Sequence, residues 1–385
     1  TGAMGSSAPL RIGMVAGEAS GDLLAGLLLD GLKARWPQVE AMGIGGPQMQ
    51  RRGFQAWWPH DRLSVFGYVD ALGRLPELLR VRRELAARLI DLRPDVFVGV
   101  DAPDFNFGLE TRLRSAGLKT VHFVCPSIWA WRRERVHKLA KAVDHVLCLF
   151  PFEPDLLAAH GIEATYVGHP LADAIPFHVP QAPARQALGL QPDDTVVALL
   201  PGSRRSEVSH IAARMAAAAE LMRRERPGLR FVLPAAPGLR ARIESIFATT
   251  APGLMVQIID GRSHEALAAC DVTLIASGTA TLEAALIKRP MVITYHMSWL
   301  NWQRMKRMGY QPWVGLPNIL NREFVVPELI QEAATPQALA RETLAWLSDG
   351  ARVRRLQLRF QTLHHQLRQE TAQRAGDALA QVVQR

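Results

Sequence analysis

Asp101 closes the apolar run Val96 to Val100 and is followed by Ala102-Pro103-Asp104-Phe105-Asn106. Pro103 forbids a smooth continuation of a strand ladder. A buried parallel strand has this form when it delivers an acid to the carboxyl edge of a sheet, where open α/β proteins keep their ligands. A carboxylate placed there can take a proton from a bound hydroxyl. Capping of the following helix is the other use of such an Asp.

A second acid lies in Gly17-Glu18-Ala-Ser20-Gly21-Asp22, between the first apolar run and the first helix. Its glycines let a ligand approach the backbone, and a helix start offers N–H groups. Ser20 or Asp22 suits a cap, whereas Glu18 is not needed for one. The run is not G-x-G-x-x-G, so a nicotinamide dinucleotide is not expected. Pro201-Gly-Ser-Arg204 places an Arg after a strand, where a guanidinium suits a diphosphate. Ala276-Ser277-Gly278-Thr279-Ala-Thr281-Leu-Glu283 reads as a strand, a small-residue turn and a helix start. Its amides and hydroxyls suit a phosphate. Glu283, one turn in, suits a ribose diol or only the helix dipole. His264-Glu265 lacks the second His that a zinc protease helix needs.

The elements that must position these groups alternate β and α. Strands are expected over Arg11–Ala16, Val96–Val100, Thr120–Val124 and Val146–Phe150, then over Thr195–Leu200, Arg230–Leu233, Met255–Ile259, Val272–Ala276 and Met291–Tyr295. Helices are expected over Leu23–Arg35 and Glu207–Arg226, among others. A doubly wound parallel sheet follows, twice over. Prolines 170, 176, 180, 183 and 192 crowd a short stretch that reads as a linker. The organisation expected is therefore a cloning remnant (1–7), an N-terminal α/β domain (8–172), a linker (173–192), a C-terminal α/β domain (193–335) and a helical tail (336–385). The tail is expected to pack on the first domain or on a second subunit, as in a homodimer. Two such halves imply a cleft between them.

At 385 residues with 48% hydrophobic residues, the chain can bury two cores. No window is long and apolar enough to span a membrane, and no secretory signal is visible. Cys125, Cys148 and Cys270 are far apart, which suits a reducing compartment and argues against a zinc site. A net charge of +9 favours polyanions; no nucleic-acid signature accompanies it. The stretch Ser64 to Leu89 interleaves Val65, Phe66, Tyr68, Val69, Leu72, Leu75, Leu78 and Leu79 with Arg74, Arg80, Arg82, Arg83 and Arg88. Such a segment buries a stripe in a core or lies in a membrane interface. Pro126-Ser-Ile-Trp129-Ala-Trp131 suits sugar stacking or interface packing.

Together GEASGD (17–22), GVDAPDFN (99–106), PSIWAW (126–131), VGHP (167–170), PGSR (201–204), ASGTATLE (276–283) and LPN (316–318) resemble the lipid-A-disaccharide synthase family of GT-B glycosyltransferases, in the family's order over about residues 11 to 320. The resemblance implies two Rossmann-like domains. It implies transfer from UDP-2,3-diacylglucosamine to 2,3-diacylglucosamine 1-phosphate, with inversion, giving a β(1→6) disaccharide and UDP. It implies a cytoplasmic enzyme peripheral to the inner membrane, with acylated substrates, an anionic lipid surface and no nucleic acid as partners. Asp101 is then the base, with Glu18 the second candidate or an acceptor-orienting group. Arg204, Ser277, Gly278, Thr279, Glu283 and Asn318 take the UDP-sugar, Asn318 on the resemblance alone. Ser20, Asn106, Trp129, Val69, Leu72, Arg74 and Leu75 fall on the acceptor and lipid side. No D-x-D motif is present, so no metal and no cofactor are expected. Asp70 and Trp313-Val-Gly depart from the family pattern, which bears on acyl preference and packing. The rival readings are a UDP-N-acetylglucosamine 2-epimerase, the peptidoglycan N-acetylglucosaminyltransferase, and a non-catalytic lipid- or polyanion-binding protein.

Overall fold

A computed structural model describes residues 9–59, 75–124, 133–296, 302–303 and 312–385. The chain divides into two units, residues 1–174 with 366–385, and residues 175–365.

In the first unit the strands are β1 (Arg11–Ala16), β2 (Glu40–Gly45), β3 (Gln55–Pro59), β4 (Val96–Val100), β5 (Thr120–Phe123), β6 (His145–Cys148) and β7 (Ala164–Tyr166). They form one sheet in the order β3-β2-β1-β4-β5-β6-β7, every pair parallel. β4 reads Val-Phe-Val-Gly-Val and is buried at every position, as a strand covered on both faces must be. The helix Leu75–Leu92 lays Leu78, Val81, Leu85, Ala86 and Leu89 onto that core.

In the second unit β8 (Val196–Leu200), β9 (Arg230–Ala235), β10 (Val256–Asp260), β11 (Val272–Ala276), β12 (Met291–Tyr295) and β13 (Glu328–Ile330) form a parallel sheet in the order β10-β9-β8-β11-β12-β13. The chain winds outward from β1 through β3 and then restarts at β4; it does the same from β8 through β10 and restarts at β11. Each unit therefore has one topological switch point, between β1 and β4 and between β8 and β11. Carboxyl-end crevices there are where such sheets bind ligands.

Two expected boundaries differ from this division. The expected linker 173–192 is largely built into the second unit. Its helix Gln181–Ala187 carries a buried Arg185 that donates to the carbonyls of Ala269, Pro192 and Asp194 and to Asp271. The expected tail 336–385 is split. The helix Pro336–Leu347 packs on the helix Arg205–Glu225 of the second unit, with buried Trp346 donating to the Met291 carbonyl at 3.1 Å. Only residues 366–385 join the first unit, where the helix Thr371–Gln384 packs on the helix Ala19–Arg35.

VGHP takes part in that return. The His169 N–H donates to the Leu367 carbonyl at 2.9 Å, and Gly168, at φ +78°, leaves room for that carbonyl, which would meet a Cβ at 2.6 Å. Asp173 accepts from the amides of Glu370 and Thr371 at 3.1 and 2.8 Å and so caps the returning helix. Among the described residues no helix is long and apolar enough to cross a membrane.

Candidate active site

Ala16, the last residue of β1, pairs with Val100, the last of β4. Glu18 and Asp101 therefore leave the carboxyl ends of adjacent strands at the first unit's switch point. Asp101 and Ala102 both adopt left-handed backbone, at φ +52° and +44°, a region that costs a non-glycine residue about 1–2 kcal/mol. The turn is held by the Asp101 N–H on the Phe123 carbonyl at 3.1 Å and the Asn106 N–H on the Ala102 carbonyl at 2.9 Å. The helix Pro103–Ser115 begins directly after it, with no side-chain cap bond from its N-cap residue. Glu18 stands at the N-cap position of the 19–35 helix, and its side chain makes no capping bond. Asp22, expected to cap that helix, is buried and accepts instead from the amides of Gly46, Gln48 and Met49, at 3.0, 2.9 and 3.1 Å. It fixes the turn after β2. Ser20 is half-buried in the first turn of the 19–35 helix.

In the second unit Leu200 pairs with Ile275, so the PGSR and ASGT turns emerge side by side. Gly202, at φ +101°, brings the first turn close to the second: a Cβ there would lie 3.5 Å from the Ala276 Cβ. Arg204 is the N-cap residue of the 205–225 helix, half-exposed, with its guanidinium 3.9 Å from Glu207. Glu207 also accepts from the Tyr295 hydroxyl at 3.0 Å. Gly278, at φ +145°, opens the helix Thr279–Ile287. The Ser277 amide is committed to the Thr294 carbonyl at 2.9 Å, so at that residue the hydroxyl, not the N–H, is the group for a ligand. Glu283, one turn in, is mostly buried and lies 2.9 Å from Nε2 of His264, which is half-exposed. This hydrogen bond with Glu283 raises the His264 imidazole above its ordinary range.

Some of the expected site residues are engaged in the fold, and others fall outside the described residues. Asn106 is fully buried; its amide donates to the Asp101 carbonyl at 2.8 Å. It holds the turn and has no surface to offer an acceptor. Asn318 is also fully buried. Its amide donates to the Val326 carbonyl and Glu328 at 2.9 and 2.7 Å, and its oxygen accepts from the Val326 N–H at 3.1 Å. With both ends of the amide engaged inside the unit, it ties the helix Leu316–Asn321 to β13. Leu75 is exposed at the start of the 75–92 helix, as is Leu79. Trp129, Val69, Leu72 and Arg74 lie outside the described residues. Sequence reasoning missed Glu207, Tyr295 and His264. His264 lies in the first turn of the helix that begins after Gly261 and Arg262, both in left-handed backbone, and its tertiary partner sets it apart.

Two doubly wound parallel sheets, each with its chemically competent groups at its own switch point, define a two-domain GT-B glycosyltransferase architecture. Solved structures agree at the level of fold. A putative UDP-N-acetylglucosamine 2-epimerase from Listeria monocytogenes superposes with a TM-score of 0.67 at 12% identity, covering 97% of this chain and 95% of the other. MurG of Acinetobacter baumannii does so with a TM-score of 0.58 at 12% identity, covering 97% and 100%. In sequence, residues 12–383 match the family described as Lipid-A-disaccharide synthetase. The lipid-A-disaccharide synthase of Albidiferax ferrireducens is 58% identical over 380 residues, 97% of this chain and 98% of that protein. The chain belongs to the lipid-A-disaccharide synthetase family, and its role is assembly of the lipid A disaccharide by glycosyl transfer.

Proposed function

We propose that the chain transfers the sugar of UDP-2,3-diacylglucosamine to the 6-hydroxyl of 2,3-diacylglucosamine 1-phosphate. The observation that carries this reading is the placement of Asp101 and Arg204 at the carboxyl edges of two sheets, each beside its switch point. Asp101 takes the proton of the acceptor's 6-hydroxyl as that oxygen bonds to the anomeric carbon. The bond from that carbon to the diphosphate oxygen breaks, and its electron pair leaves with UDP. A single displacement inverts the centre, giving the β(1→6) linkage. Glu18, on the neighbouring strand, orients the acceptor. Arg204, the Gly278 and Thr279 amides at the head of the 279–287 helix, and the Ser277 and Thr279 hydroxyls stabilise the charge that develops on the leaving diphosphate. These groups fill the place a metal takes in other transferases, so the reaction runs without one. Glu283 accepts from the ribose with the oxygen that His264 does not engage.

Both substrates carry acyl chains, and the chain works at the surface of an anionic cytoplasmic leaflet. The exposed Leu75 and Leu79, with exposed Arg80 and Arg83 beside them, support contact at the head of the 75–92 helix.

Two variants test the reading. Asp101→Ala is expected to lower turnover by about 10²–10⁴-fold with UDP affinity retained. Arg204→Ala is expected chiefly to weaken UDP binding. Turnover intact in the first, or UDP affinity intact in the second, removes that residue from the site.

A further inference from the structure

Beneath the Asp101 turn lies a polar set that the transfer chemistry leaves unused. Asn106, Glu110 and His122 are each fully buried. Asn106 and Glu110 are one turn apart on the 103–115 helix and share a face; His122 stands on β5, next to β4. Glu110 Oε1 lies 2.8 Å from His122 Nδ1. Gly99 makes the space, since a Cβ on it would lie 2.6 Å from Glu110 Oε1 and 3.1 Å from Asn106 Cγ. This accounts for the glycine inside an otherwise large-residue strand. The outer atoms of the set, Asn106 Oδ1, Glu110 Oε2 and His122 Nε2, have no hydrogen-bond partner.

A buried, partly satisfied polar set is poor at stabilising a core, and apolar residues of similar shape often serve better. Its presence calls for another reason. The set reaches the candidate site through the Asn106 side-chain amide, which donates to the Asp101 carbonyl at 2.8 Å and, at longer range, to the Val15 and Val100 carbonyls at 3.4 and 3.5 Å. The Asp101 carbonyl belongs to the two-residue left-handed turn on which the carboxylate rides. Burial pushes the Glu110 carboxyl up, with His122 opposing. The space over Gly99 is shared by both side chains, since the same Cβ would lie 3.1 Å from Asn106 Cγ and 3.1 Å from Glu110 Cδ, which sets the Glu110 carboxyl beside the Asn106 head.

We propose that Asn106, Glu110 and His122 are positioning residues for Asp101: His122 fixes Glu110, Glu110 orients Asn106, and the Asn106 amide locks the left-handed turn that aims the carboxylate. The proposal rests on Asp101 being the base.

Kinetics of the full chain test it, with UDP affinity and the thermal midpoint measured beside them. Asn106→Leu keeps the shape and removes the donor; Glu110→Leu removes the link. Both are expected to lower kcat by about 10²-fold, the scale of an ångström-sized misplacement. The KM for each substrate and the UDP affinity stay near those of the parent. Glu110→Gln keeps a polar head of the same size beside Asn106 and should recover most of the loss. Leu109→Val, a core truncation on the same helix, should lower the midpoint and leave kcat alone. A folded Asn106→Leu or Glu110→Leu with the kcat of Leu109→Val overturns the proposal. Asn106→Ser, too short to hold the carbonyl, gives the same two outcomes if the leucine variant does not fold. Asp101→Asn separates the two readings. If it is active, the base assignment fails. If it is inactive beside a fully active Asn106→Leu, the positioning role alone fails.

Discussion

Asp101 and His264 both owe their chemistry to neighbours distant in sequence. Asp101 is at the carboxyl edge because an apolar strand ends there, which the run Val96 to Val100 announces. Its left-handed backbone is sustained by Phe123 and Asn106, from a neighbouring strand and the following helix. His264 is held by Glu283, nineteen positions on, across two packed helices. The raised imidazole has a definite consequence. A group whose folded value lies above its unfolded value contributes fully below the ordinary imidazole range of about 6.5. That contribution is lost as pH rises through the folded value. Imidazole resonances of His264 are therefore expected to titrate above the ordinary range, and Glu283→Gln should bring them back toward it. A His264 that titrates in the ordinary range in both proteins contradicts the pair. Asn106 and Asn318 teach the opposite lesson. A motif asparagine suggests a ligand contact, but burial is decided by packing that sequence does not display. Both turn out to hold backbone.

At the scale of elements, the strands legible in the sequence are those buried on both faces. Val96–Val100, Val272–Ala276 and Met291–Tyr295 are short runs rich in β-branched and apolar residues and stand where expected. The strands that were not legible lack that signal. β2 reads Glu-Ala-Met-Gly-Ile-Gly, whose glycines and alanine have weak strand preference. β7 and β13 are three residues each, with no room for a pattern. Edges shift by a residue or two elsewhere, as at β6, where His145 opens the strand and Phe150 lies past its end. The split of the tail was also hidden, because amphipathic helices declare that they pack, not on what. Its last helix meets the 19–35 helix at Gly31, where a Cβ would lie 1.8 Å from the Ala372 Cβ. Gly31→Ala gains about 0.5–1 kcal/mol in helix preference. It loses about 1–3 kcal/mol to overpacking, so the variant is expected to be less stable on balance. Denaturant midpoints check this, and adding Ala372→Gly should restore the loss. A Gly31→Ala variant as stable as the parent would show that the tail yields.

For the whole molecule, the doubly wound plan occurs twice, and each unit brings its own candidate site residues to its switch point. The first unit holds the acids at the ends of β1 and β4, and the second holds the Arg and the glycine turn at the ends of β8 and β11. The family match spans residues 12–383, and so takes in both units. The net charge of +9 suits a phosphorylated acceptor, a diphosphate donor and an anionic surface alike. The most direct measurement is UDP release from UDP-2,3-diacylglucosamine, in detergent with EDTA, with and without 2,3-diacylglucosamine 1-phosphate. Release that depends on the acceptor and persists in EDTA is the predicted result. Folded protein that releases no UDP when the acceptor is added would contradict it.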